Sequence, residues 1–167
     1  MPSPSRRFWL FKSEPDVFGV EHLALQPQGV AMWDGVRSYR ARNYLRDEVS
    51  SGDGALFYHS SCASPAIVAE CEIVRGGYPD PTQFDPTHPG YDPKSSAQDP
   101  RWYTVDVGLR FRFAAPVTLA AIKKTPALAK MFLISPAGGR LSIQPVTAVE
   151  WREILRRGGV TSEGKRK

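Results

Sequence analysis

The chain has 167 residues and a mass of 18.5 kDa, enough to close one core without a second domain. Its formal charge is +5, but Arg6, Arg7, Lys165, Arg166 and Lys167 lie in the ends. Between residues 8 and 162 there are 17 basic against 16 acidic side chains, so bulk basicity says little about a polyanionic partner. No stretch approaches the ~18 apolar residues that cross a bilayer, and Met1 to Arg7 lacks the apolar run of a secretory leader, so a soluble, intracellular protein without membrane contact is expected. Cys62 and Cys71 stand nine apart with no CxxC spacing, and His22, His59 and His88 are scattered. Reduced, inert thiols and neither metal nor cofactor follow from that distribution.

In chain order, Phe8 to Lys12 reads as a strand, stopped by Ser13-Glu14-Pro15-Asp16, where Asp16 is placed to cap a helix over Val17 to Leu25. Trp33 precedes a bend at Asp34-Gly35, where glycine can adopt positive φ, and Ser38 is a good N-cap for a helix with Ala41, Tyr44 and Leu45 on its core face. Ser51 to Gly54 is turn chemistry before an apolar strand, Ala55 to Ser60. Ala66 to Val74 alternates as a half-buried strand. Trp102 to Phe113 does so more strongly, with Tyr103, Val105, Val107, Leu109, Phe111 and Phe113 assigned to one face. Thr118 to Lys124 and Pro126 to Met131 read as helices, Leu141 to Val146 as a strand and Thr147 to Arg157 as a closing amphipathic helix. Short strands mixed with short helices predict an α+β fold around a small barrel.

Two segments stand out. Arg37, Arg40, Arg42 and Arg46 crowd ten residues next to Trp33, and guanidinium beside an aromatic ring is how proteins hold nucleobases and phosphates together. Gly76 to Pro100 is a long loop carrying prolines at 79, 81, 86, 89, 93 and 100. Loops of that length are usually functional or disordered. The aromatics Tyr78, Phe84 and Tyr91 predict a semi-rigid flap packed beside a cleft.

Phe8-Trp-Leu-Phe-Lys-Ser-Glu-Pro-Asp16, Met32-Trp-Asp-Gly-Val-Arg37, Ala41-Arg-Asn43, Leu56-Phe-Tyr-His-Ser-Ser61, Tyr91-Asp-Pro-Lys-Ser-Ser96, Arg101-Trp102 and Leu141-Ser-Ile-Gln-Pro-Val146 together resemble one family. The chain is similar to EVE domains, of the type found alone in bacteria and in the thymocyte nuclear protein family. That resemblance implies one domain over residues 8–157, with basic, flexible tails at 1–7 and 158–167. It also implies a PUA-like pseudo-barrel of mixed strands with short flanking helices, related to YTH, SRA and ASCH domains.

In YTH readers of methylated adenine the first strand also ends in Lys-Ser and a tryptophan walls the base cage. By that comparison Lys12, Ser13 and Trp33 are pocket positions. Ser38 departs from the asparagine that many relatives carry there. The expected base pocket is Lys12, Ser13, Glu14, Trp33, Asn43, Tyr58, His59, Ser60 and Trp102, with Arg37, Arg40 and Arg42 on flanking phosphates. The resemblance implies a non-catalytic, monomeric reader of a modified nucleobase, with modified cytosine in DNA favoured and a nucleoid association in a bacterium. An RNA-binding module for modified RNA and a small amidohydrolase on a modified nucleoside are the alternatives.

Unstacking a base costs a few kcal/mol, and one aromatic platform returns ~1–3, so hydrogen bonds to the base edge must supply the rest. A methyl group fitted against an apolar wall adds only ~0.8 kcal/mol.

Overall fold

The computed structural model describes residues 5–160. Six strands, β1 (Phe8–Ser13), β2 (Val30–Met32), β3 (Gly54–His59), β4 (Ala66–Pro79), β5 (Tyr103–Thr118) and β6 (Ile143–Val146), form one mixed sheet in the order β2-β5-β4-β3-β1-β6. β1 and β3 run parallel, Phe8 beside Gly54 through Ser13 beside His59, and every other pairing is antiparallel. A parallel pair needs a crossover. Here it holds α1 (Pro15–Phe18), α2 (Val20–Ala24), β2 and α3 (Tyr39–Asp47). The later helices are α4 (Leu119–Lys124) and α5 (Ala148–Arg157). The α+β class is as expected, but the barrel is not closed, because β2 and β6 remain unpaired edges.

An open sheet has two faces, and both are buried. One carries Trp9, Phe11, Phe57, Cys71, Val105 and Val107 against Leu23, Ala41 and Leu45 of the crossover. The other carries Leu10, Leu56, Tyr58, Ile67, Phe113 and Val117 against Ile122, Leu128, Trp151 and Ile154. The alternation of β5 therefore conceals a change of face. Cys71 pairs with Leu109 and Glu70 with Phe111, so one extra residue, Arg110, is accommodated on β5. A bulge inverts the parity of everything beyond it, which sends Val107 and Leu109 to the first core and Phe111 and Phe113 to the second.

The caps follow the sequence. Ser38, Thr118 and Thr147 each accept a backbone N–H in the first turn of α3, α4 and α5, and Glu150 completes a capping box with Thr147. The helix expected over 17–25 is instead two short ones. Gly19 is extended, and the amides exposed by the break donate to His22 Nδ1 and His59 Nε2. The first of them starts at Pro15, where a missing N–H costs nothing, rather than being capped by Asp16. Pro126 to Met131 contains only a single 3-10 turn, Pro126–Leu128.

Parts of the segments assigned to the tails touch the domain, although Ser5, Arg6 and Arg7 are exposed. Arg6 Nε donates to Gly52 O, the Arg7 amide to Asp53, and Val160 is buried in the second core. The remainder of both tails lies outside the described residues.

α3 meets the sheet through Gly77. A Cβ there would collide with the Leu45 carbonyl oxygen and the Arg46 Cα, both backbone atoms that cannot swing away. Gly77→Ala is expected to lift α3 off β4 and cost about 1–3 kcal/mol, read as a fall of several degrees in melting temperature. An unchanged melting point would show that this approach is not tight.

Candidate nucleic-acid interface

Trp33 follows directly on β2. Its amide donates to Val105 O at 2.8 Å, so the edge pairing extends one residue beyond Met32 and sets the indole on the first core face. There it makes edge contacts with Phe11 (5.3 Å), Phe57 (5.2 Å) and Phe18 (6.0 Å), each tilted at 71° or more. The residue is only 7 % exposed. A recess of about 440 Å³ nevertheless opens on it, walled by Ser13, Val17 and Phe18 on one side and Met32 to Ser38 on the other, with Lys12 and Ser142 completing it. That volume falls in the ~300–1,000 Å³ range of small-ligand sites.

Four indoles divide by what their N–H does. Trp9 Nε1 donates to Asp53 at 2.9 Å and Trp102 Nε1 to Asp92 at 2.7 Å. Among the described residues the Trp33 N–H has no acceptor; nor has that of Trp151, which stacks on Phe8 in the second core. Buried tryptophans usually find one. Trp33 alone combines a recess with a free donor.

The turn that carries it is held from outside. Gly35 takes φ +85°, and its amide donates to the Asp80 carboxylate at 3.0 Å. Asp80 has no exposed surface and also receives Arg37 (3.1 Å), the Thr82 amide (2.8 Å) and the Thr82 hydroxyl (2.6 Å). Arg37 further donates to Gly90 O at 2.7 Å and to Thr82 Oγ1, while its guanidinium lies 5.5 Å from the centre of the Trp102 ring. Burial opposes ionisation of Asp80, but the bonds from Thr82, Gly35 and Arg37 together outweigh it and hold the carboxyl below the usual aspartate range.

Several expected site residues are therefore elsewhere. Arg37 borders the recess, but its guanidinium is engaged as a latch between the turn and the long loop. Arg42 donates to Arg101 O at 2.6 Å and to Asn43 Oδ1, and covers the Tyr39 ring. Asn43 faces out on α3, away from the recess. Trp102, expected in the pocket, is 6 % exposed and stacks on Tyr39 at 5.0 Å.

Tyr58 sits on the opposite face of the sheet, because its neighbour Phe57 takes the Trp33 side. His59 accepts the Val20 amide at 3.1 Å, and burial pushes its pKa down. It supports α2 as a neutral ring. Glu14 is exposed at the start of α1, and Ser60 is joined to Ser13 only through the backbone.

Lys12 and Ser13 do reach the recess wall, but the Lys12 ammonium donates to Gly138 O at 2.5 Å and the Ser13 hydroxyl to Phe18 O at 2.6 Å. Burial lowers the Lys12 pKa. Arg40 remains: it is exposed, rests on the Phe132 ring at 5.2 Å, and has no acidic partner among the described residues.

Sequence reasoning missed Phe18, Met32, Asp34, Ser38 and Ser142 as wall residues. The first four flank motif positions and were within reach of it; Ser142 follows only from the fold. The long loop is anchored to the domain, but not as expected: β4 runs on to Pro79 and takes in Tyr78, while Phe84 and Tyr91 are exposed, and polar side chains make the anchorage. Gln83 is fully buried, its amide nitrogen donating to Asp80 O and Trp102 O and its Oε1 accepting the Ser95 hydroxyl.

A mixed six-stranded α+β sheet with a recess opening on a buried indole is an architecture able to hold a small planar group. The EVE domain model matches residues 7–157, and the chain belongs to that family. Thymocyte nuclear protein 1 of Danio rerio is 40 % identical over 169 residues, covering 91 % of this chain and 72 % of that protein. A hypothetical protein from Leishmania major superposes with a TM-score of 0.85 at 41 % identity, covering 92 % and 95 % of the two chains. Human THYN1 protein, in complex with 5-methylcytosine containing DNA, superposes with a TM-score of 0.84 at 38 % identity, covering 93 % and 99 %. Among the described residues no helix is long and apolar enough to cross a membrane, and no cluster of three metal-ligating side chains occurs.

The latch gives a pH prediction. The depressed folded-state pKa of Asp80 lies below the ~3.9 of an unfolded aspartate, so its contribution is complete above about pH 4 and is lost as pH falls through the folded value. Asp80→Asn is expected to lose about 3 kcal/mol at pH 7 by leaving Arg37 without its carboxylate, and to flatten acid denaturation below about pH 4. An acid profile parallel to that of the unsubstituted protein would contradict this.

Proposed function

We propose that this chain is a non-catalytic reader of modified cytosine in DNA, which accepts an everted base in the recess against Trp33. The observation that carries it is the indole itself, buried among three phenylalanines, lining a ring-sized cavity, with its N–H unclaimed. A base edge offers the missing acceptor. The likeness to a human protein complexed with DNA containing 5-methylcytosine supports the choice of base and of DNA. The nuclear name of the relatives fits a place beside DNA rather than in the cytoplasm.

Binding energy divides between two surfaces. Stacking or packing on one ring returns ~1–3 kcal/mol, close to the cost of everting a base, so the indole N–H and the phosphate contacts decide whether the complex forms. Arg40, exposed beside Phe132, is the arginine of the expected cluster left to supply a phosphate contact. The geometry argues against hydrolysis at the recess: Lys12, Ser13 and His59 are each committed to a different backbone group, so these three do not pair as nucleophile and base.

Trp33→Phe keeps an aromatic ring among Phe11 and Phe57 but removes the N–H. It is expected to bring affinity for a methylcytosine strand roughly tenfold down while leaving the salt dependence unchanged. Arg40→Ala should weaken both strands alike and reduce the slope of log K against log salt by about 1. Fluorescence anisotropy across a salt series measures both. Equal losses in both variants would contradict this division.

A further inference from the structure

We propose that Asp34 is the residue that rejects thymine, by accepting a hydrogen bond from the exocyclic amine of the bound base. The inference rests on the modified-cytosine reading and specifies its selectivity. 5-Methylcytosine and thymine carry the same methyl group at C5 and the same O2. They differ at position 4, an amine donor against a carbonyl acceptor, and at N3, a lone pair against an N–H. A wall fitted to the methyl group cannot tell them apart, yet thymine is an ordinary base of DNA. A reader of methylcytosine therefore requires an acceptor facing position 4.

The recess holds one acidic side chain. Asp34 is exposed in its wall, and His88 Nε2 lies 3.8 Å from its carboxylate, beyond hydrogen-bond distance. His88 Nδ1 accepts the Gly90 amide at 2.8 Å, so the neutral ring directs its remaining N–H toward the carboxylate and cannot itself accept from a base amine. The other polar side chains in the wall are two cations and the neutral hydroxyls of Ser13, Ser38 and Ser142, so Asp34 is its one charged acceptor among the described residues. Arg37 and Lys12 only donate, and the Ser13 hydroxyl proton goes to Phe18 O. Ser38 Oγ already accepts from the Ala41 amide.

Adjacent in sequence, Trp33 offers an N–H and Asp34 a carboxylate. That donor and acceptor match the N3 lone pair and N4 amine of cytosine, and mismatch both groups of thymine. A carboxylate opposite O4 leaves two acceptors face to face, which costs more than a lost bond.

The test uses single-stranded oligonucleotides, so that duplex opening does not enter, identical except for 5-methylcytosine, cytosine or thymine at one position. The unsubstituted protein is expected to prefer 5-methylcytosine over thymine by about tenfold or more, a typical penalty for one wrong base contact. Asp34→Asn, which can turn its amide to donate to O4, should bring that ratio to within about threefold while keeping the preference for 5-methylcytosine over cytosine. Asp34→Ala, with no acceptor, should lose 5-methylcytosine affinity and the thymine rejection together. Thymine rejection unchanged in both variants overturns the role of Asp34 and leaves the reader intact. Absence of any 5-methylcytosine preference over cytosine in the unsubstituted protein overturns the reading and this inference with it.

Discussion

Asp80 is a carboxylate without solvent, and such a group persists only when surrounding donors replace its water. It has four: the Gly35 amide, Arg37, and the amide and hydroxyl of Thr82. Two belong to the turn after Trp33 and two to the start of the long loop. One ionised side chain thus fixes both banks of the region beside the recess. Gly90 passes so close to Arg37 that a Cβ would lie 2.8 Å from its Nη2, which brings the far end of the loop under the same guanidinium. The indole can then keep its place without a hydrogen bond of its own, because rings hold it on the sheet side and the turn is held elsewhere. A preformed site of this kind leaves little ordering entropy to be lost on binding.

Polar demand and apolar packing are separated across the sheet. The first face, closed by the crossover between β1 and β3, carries the recess at its end; the second, closed by α4 and α5, is filled. Tyr58 belongs to that second side, and the Lys12 ammonium, whose side chain also borders the recess, lies 5.8 Å from the Tyr58 ring centre and bonds the backbone at Gly138. Strand alternation is what separates neighbours such as Phe11 and Lys12 into different environments.

Much of the fold was legible in the residues, and for local reasons. Ser38, Thr118 and Thr147 are side chains that bond the helix start, Gly35 is free to take positive φ, and period-two runs mark β4 and β5. Trp33 at a binding position came from its sequence company and from the family resemblance. What was not legible depends on distant partners. An arginine reads alike whether it meets phosphate or, as Arg37 does, a carboxylate 43 positions away. Trp102 was misplaced for the same reason, its N–H being claimed by Asp92 across the loop. The Arg110 bulge left the alternation of β5 intact while reversing which core it served.

The central claim is that the Trp33 N–H is free in the unliganded protein and is used by a bound base. Nitrogen–proton correlation spectra resolve the indole resonances of the four tryptophans directly. On titration with a short strand containing 5-methylcytosine, the Trp33 indole proton should move downfield at saturation, while those of Trp9 and Trp102, already bonded to Asp53 and Asp92, stay in place. Saturable binding with the Trp33 signal unmoved would contradict the account.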